Sequence, residues 1–278
     1  MPAYGAVGPS ADWRGIFVAA RPFFMTIHLF VRRIITCWIV LGIAASARAQ
    51  APEPPPPAWE TQVGAAFVGT SGNTETTTLG ADFALVRRWP VWQIDAGAAA
   101  IRTTDQDVST AERYLASIRG KRQLTALLGL SAGERVERDR LAGIDFRSIL
   151  DGGLSWALVR SPRWTLNGLT SLGWNHEEPP GGPNLDHPIG VFEALSRIPF
   201  GATGFSTQRV TYYPDFKDAS AYRSEAEVTA QAAMNRRLAI KLGYLFRYSN
   251  QPVAPFMKSD NTTTASLVVR WLAATPPP

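Results

Sequence analysis

The sequence predicts an all-β fold: a transmembrane up-and-down antiparallel β-barrel of about twelve strands, with short periplasmic turns and longer external loops. Three observations predict it. An export leader precedes the folded part, residues alternate with period 2 in barrel-length segments from Trp59 to Trp271, and the connections alternate between long and short.

The leader opens at Met25, carries Arg32 and Arg33, continues through an apolar run from Ile34 to Ala45, and ends at Ala47-Arg48-Ala49, an A-x-A cleavage pattern. That run falls short of the ~20 apolar residues a spanning helix needs. Residues 25–49 therefore read as a signal peptide cleaved after Ala49, and residues 1–24 as an upstream extension.

Residues 1–49 hold five arginines against the single acid Asp12, so they carry four of the five formal positive charges and leave the remainder at +1. The basic character of the whole chain is thus no argument for nucleic acid, and none is expected as a partner. The one cysteine, Cys37, lies in the leader, so the exported part has no disulfide framework, thiolate metal site or thiol nucleophile.

Residues 50–58 form a Pro-rich linker, Pro52-Glu53-Pro54-Pro55-Pro56-Pro57, whose backbone offers few donors to a sheet. The barrel is expected over 59–271. Its clearest segment sets Leu238, Ile240, Leu242, Tyr244, Phe246 and Tyr248 on one face and Ala239, Lys241, Gly243, Leu245 and Arg247 on the other. The segment before it divides Ala226, Val228 and Ala230 from Arg223, Glu225, Glu227 and Thr229, and the last divides Leu267, Val269 and Trp271 from Ser266 and Arg270. Earlier segments repeat the pattern with Val63 and Ala65, with Leu79, Ala81, Phe83 and Leu85, with Trp92, Ile94, Ala96 and Ala98, and with Phe146, Leu150, Leu154 and Trp156.

A soluble sandwich also alternates, so the connections decide. Ser71-Gly72-Asn73, Thr103 to Thr110, Glu137 to Ala142, Asn175 to His187, Pro214 to Ser220 and Asn250 to Asp260 are mostly long. The intervening links at Arg88-Trp89-Pro90, Arg122, Arg160 to Arg163, Gly201-Ala202 and Asn235-Arg236 are short. Asn175 to His187 is expected to be the longest loop. Trp89, Trp92, Trp164, Trp174 and Trp271 stand near strand ends, where amphipathic rings suit a membrane interface.

Gly64-Ala65-Ala66-Phe67 leading into Thr70-Ser71-Gly72-Asn73-Thr74, then Glu134-Arg135-Val136-Glu137-Arg138-Asp139-Arg140, Leu238-Ala239-Ile240-Lys241 and Arg247-Tyr248-Ser249-Asn250-Gln251-Pro252 resemble the domain-of-unknown-function family 481. Its members are often called salt-induced outer membrane proteins. The resemblance covers essentially Trp59 to Trp271 and implies an outer-membrane barrel associated with salt stress, with no catalytic residues to carry over. The expected partners are outer-membrane lipids, lipopolysaccharide and the barrel assembly machinery. Barrels commonly end on an aromatic residue that marks the last strand, whereas here residues 272–278 trail beyond Trp271 as an expected disordered tail.

His176 and His187, with Glu177, Glu178 and Asp186, supply nitrogen and oxygen donors, but Pro179-Pro180-Gly181-Gly182-Pro183 imposes no fixed helical spacing, so a solvated loop is the expected reading and no cofactor or metal is assigned. Neither histidine has a serine two residues away on a strand face, which makes a surface lipid hydrolase the third choice and an enzyme the unexpected one. The inward faces are predicted to carry Asp82, Asp95, Arg113, Arg119, Lys121, Arg147, Asp151, Glu225, Glu227, Arg237, Lys241 and Arg247. Such charges either line a path for ions or small polar solutes, the leading expectation, or pair across and fill the barrel as in a non-transport stress protein.

Overall fold

The computed structural model describes residues 58–70, 76–105 and 108–273; the expected extension, the leader, most of the linker and residues 274–278 of the expected tail lie outside them, whereas Leu272 and Ala273, expected in that tail, continue the last strand and pair with Glu60 and Trp59. Twelve strands follow one another: β1 (Trp59–Thr70), β2 (Thr76–Arg88), β3 (Trp92–Asp105), β4 (Val108–Gln123), β5 (Leu128–Asp139), β6 (Ile144–Ser161), β7 (Trp164–Glu178), β8 (Leu185–Phe200), β9 (Gly204–Tyr213), β10 (Arg223–Ala233), β11 (Leu238–Ser249) and β12 (Ser259–Ala273). Each pairs antiparallel with its sequence neighbours, and β1 meets β12 from Trp59↔Ala273 to Ala65↔Leu267, closing the barrel. No helix among the described residues is long and apolar enough to cross a membrane.

The loop-length asymmetry differs from the sequence reading in three places. Thr103 to Thr110 is almost wholly strand, with β3 and β4 paired through Thr104↔Ser109 and Asp105↔Val108, and β5 continues through Glu137 to Asp139 because its alternation runs on unbroken. Asn175 to His187 is largely strand: β7 and β8 run on as a paired ribbon through Asn175↔His187, His176↔Asp186 and Glu177↔Leu185, leaving only residues 179–184 between them. The Pro and Gly residues confine the reversal to that short stretch, and the flanking polar residues still pair their backbones. The longest connections are instead residues 214–222 and 250–258. These two are tied together, because Asn250 Nδ2 donates to Ser220 O at 2.8 Å and Gln251 Nε2 to Ser220 Oγ at 2.6 Å. Hydrogen bonds from the Ser220 hydroxyl and backbone hold the Asp218 carboxyl below the usual carboxylate range.

The turns at the opposite end are set locally. Thr125 Oγ1 accepts from the backbone N–H groups of Leu127 and Leu128, and Asn235 Oδ1 accepts from those of Arg237 and Leu238, the side-chain turns these residue types favour. Gly201, at φ 57°, takes the left-handed conformation between β8 and β9 that other residues rarely adopt.

Alternation then decides what faces where. Leu79, Phe83, Leu150, Leu172, Val210, Ile240, Leu242 and Leu267 all project from the outer wall and are exposed, the reverse of a soluble fold. Toward the turn end the wall carries Trp59, Trp89, Trp92, Trp164 and Trp271, with the Arg87 guanidinium 4.3 Å from the Trp59 ring and Arg122 5.5 Å from Trp92. Toward the loop end Trp174 is joined by tyrosines, with Tyr222 stacked obliquely on Tyr212 at 5.9 Å and on Tyr248 at 6.0 Å. Two aromatic girdles thus bound an apolar band.

The substitution Leu172→Arg tests the band. Leu172 is 71% exposed and mid-strand on β7. Urea titration of barrels refolded into phospholipid vesicles should show a loss of about 2–4 kcal/mol, the cost of arginine near a bilayer midplane. A loss no larger than that of Leu172→Ala would count against hydrocarbon on this face.

Candidate functional site

Closing twelve strands encloses a lumen, and the inward side chains form three tiers. The tier nearest the loop end is built on Glu137 of β5, only 3% of whose side chain is exposed. Four guanidinium groups surround it: Arg113 at 2.7 Å, Arg247 at 3.1 Å, Arg135 at 3.6 Å and Arg147 at 3.8 Å. Arg135 also forks onto Glu225 of β10 at 2.8 and 2.9 Å and donates to the Tyr213 hydroxyl at 2.9 Å. Arg147 pairs with Glu177 at 2.7 Å, Arg223 reaches Glu177 at 3.5 Å and Asn175 at 2.9 Å, and Arg247 pairs with Asp139 at 2.6 Å.

The positions of these strands give the tier its meaning. In a ring of twelve, β5 and β11 are six apart and face each other across the lumen, and β5 and β10 are five apart. The bonds Arg247–Glu137, Arg247–Asp139 and Arg135–Glu225 therefore cross the interior rather than run along the wall. The space left among Arg135, Glu137, Arg147, Arg223 and Glu225 is about 20 Å³, comparable to the one-probe volume that a single water occupies.

In the second tier, Arg119 forks onto Asp151 at 2.5 and 2.8 Å and donates to Ser131 at 3.1 Å, beside a buried apolar cluster of Ile149, Leu169, Ile189 and Val191 on β6, β7 and β8. The third tier, toward the turn end, pairs Lys121 with Asp95 at 2.7 Å and Lys241 with Asp82 at 2.8 Å. Gly64 makes room for the Asp82 carboxylate, since a Cβ there would collide with it. Arg209, 47% exposed, lies 3.8 Å from Glu193 and 3.7 Å from Glu227, itself 41% exposed. Charges here stand in a wetter vestibule than the Glu137 tier.

Of the residues assigned to the lumen by sequence, Asp82, Asp95, Arg113, Arg119, Lys121, Arg147, Asp151, Glu225, Glu227, Lys241 and Arg247 all take part in these inward contacts. Arg237 does not: it is exposed in the turn between β10 and β11, one residue before the strand begins, so it projects beyond the barrel end. The central residues Arg135, Glu137 and Asp139 were missing from the sequence assignment, as was Glu177. Reading Glu137 to Ala142 as a loop stopped β5 too early; strict alternation from Ser131 and Gly133 places all three on the inner face. The histidines do not converge. His176 faces outward, 2.8 Å from Asp186 and beside the Phe146 ring, while His187 faces inward, 3.1 Å from Asp215. Among the described residues no group of acidic and imidazole side chains could hold a metal ion.

Removing one partner of a buried ion pair leaves the others desolvated and uncompensated, at a typical cost of about 3–5 kcal/mol. Glu137→Ala, which takes from Arg113 its carboxylate and from Arg135, Arg147 and Arg247 one of their acids, should show a loss of that order in the same urea titration. Arg209→Ala, at a half-exposed pair, should stay within about 1 kcal/mol. Equal effects of the two would contradict the tiered burial.

A family model described as a protein of unknown function, DUF481, matches residues 63–271. No curated protein sequence matches. Among solved structures, the NanC porin aligns at 13% identity and TM-score 0.43, over 78% of this chain and 100% of that one. The COG4313 outer membrane channel from Pseudomonas putida F1 aligns at 10% and 0.47, over 82% and 100%. The translocator domain of the autotransporter NalP from Neisseria meningitidis aligns at 12% and 0.39, over 89% and 96%. With the family model covering β1 to β12 almost end to end, the chain belongs to the DUF481 family.

Proposed function

We propose that the protein resides in the outer membrane as a barrel whose lumen is held shut by the Glu137 tier, and that its resting role is that of an envelope barrel of low permeability. The exposed apolar band between aromatic girdles supports the membrane location. The observation that carries the closed lumen is the set of Arg135 and Arg247 bonds spanning opposite walls. A barrel of ~8 strands is filled by its side chains and one of ~16–18 leaves a channel. Twelve strands stand between these cases, so the side chains at the narrowest level decide.

A narrow pore for ions or small polar solutes is the second reading, favoured by the half-exposed charges of the turn-end vestibule. On this reading ions enter from the turn end and pass only when the Glu137 tier rearranges. The two readings separate in planar bilayers. The refolded protein should show no steady ohmic conductance, whereas Arg247→Ala and Arg135→Ala, each checked for folding by a heat-modifiable gel shift, should produce steady openings. Steady conductance of the unaltered protein would overturn the closed-barrel reading in favour of an open pore.

A further inference from the structure

The outer wall carries a feature that the lumen does not explain. Where β2, β3 and β4 run side by side, the outward residues Ala81, Ala98, Ala100 and Ala116 are small and form the floor of a groove between the larger rings of Phe83 and Tyr114. The groove holds about 500 Å³, within the ~300–1,000 Å³ typical of ligand sites. Arg138 of β5 stands at its loop-end mouth, exposed and directed outward.

Arg138 is placed there by the backbone. Unbroken alternation along β5 sets Arg138 outward between the inward Glu137 and Asp139, and the facing β6 carries a bulge there, so that Asp145 and Phe146 both lie opposite Arg138. Of the acids nearby, Asp145 pairs with Arg140 at 3.5 Å and Glu134 accepts from Ser148 Oγ at 3.1 Å, while Glu112 lies diagonally across on β4, two residues from Tyr114. With a rise of ~3.3 Å per residue and a tilt of ~40°, Arg138 lies about 25 Å above the turn-end start of β5, the height of a barrel's apolar band. Its guanidinium therefore sits at the headgroup level, while the alanine floor lies within the hydrocarbon.

We propose that this groove is a binding site for a phosphorylated glycolipid of the outer leaflet, of the lipid A type: Arg138 takes a phosphate bidentately and the alanine floor receives an acyl chain. The proposal rests on the outer-membrane reading, which places the loop end at the outer leaflet. Glu134, two steps of alternation deeper on the same face beyond Val136, repels an anionic headgroup from the groove's interior and leaves it to the chain. A second copy fits less well. Two barrels sharing one membrane orientation meet at equal heights, so a two-fold contact about β5 would set Arg138 against Arg138 and Glu134 against Glu134.

Native mass spectrometry of the protein refolded in detergent tests this, with lipid A, dephosphorylated lipid A or phosphatidylglycerol added in turn. One lipid A should be retained, and retention should fall about tenfold or more in Arg138→Ala, the loss of one charge-assisted contact. Ala98→Phe, which fills the groove while keeping the charge, should lower it likewise, and dephosphorylated lipid A should not be retained. Equal retention by the unaltered protein and both variants, retention of phosphatidylglycerol as firmly as lipid A, or no retention of lipid A by the folded barrel would each overturn the site. Barrel folding is read separately by the heat-dependent gel shift: absence of that shift in the unaltered protein would sink the outer-membrane reading itself, and with it this proposal.

Discussion

The structure depends on the seam between β1 and β12. An open sheet leaves a row of unpaired N–H and C=O groups along each edge, and a sheet satisfies them internally only when its first and last strands pair. Here seven residue pairs, Trp59↔Ala273 to Ala65↔Leu267, make that closure. Once the seam forms, each residue's parity fixes whether it meets the outer wall or the lumen. The chain then needs only one apolar residue in two, which is why so polar a sequence can present so apolar an exterior.

The same closure creates the electrostatic problem of the interior. Charges enclosed by twelve strands lose hydration, and the loss is recovered only through short, well-aligned bonds. The choice of cation follows the local wetness. Around Glu137 the partners are all arginines, whose guanidinium is weakly hydrated and offers several donors in a fixed fork, so that one side chain can hold acids on two strands. The lysines Lys121 and Lys241 occur in the turn-end tier, where each holds one carboxylate. Long arginine side chains also supply the reach that lets β11 and β10 bond to β5 across the interior.

Much of this was legible in the sequence, because alternation is a local signal repeated in every strand. The strand count, the faces of β10, β11 and β12, and eleven inward charges could be read from parity alone. What escaped was set by pairing partners that lie far apart in the chain. The ribbon of β7 and β8 reads as a loop because Pro179 to Pro183 dominates its composition, although only the reversal itself needs those residues. Arg237 shares the parity of Lys241, but a strand's parity has meaning only within the strand, and β11 begins at Leu238. The cross-lumen bonds of Glu137 depend on which walls face each other, which the sequence gives only after the ring is drawn.

The segment Arg135-Val136-Glu137-Arg138-Asp139 shows how tightly the two surfaces constrain each other. Its odd positions bond across the lumen to β10 and β11, while Arg138 projects from the wall. A slip of one residue would drive Arg135, Glu137 and Asp139 together onto the apolar outer face and leave their partners unpaired inside. The register of β5 is therefore held from within by ion pairs and cannot drift toward a better apolar exterior. Any charge the outer face carries on this strand, Glu134 and Arg138 alike, is thus fixed at a defined height by the interior network. A surface charge anchored in that way is positioned to meet a partner, rather than free to follow the membrane.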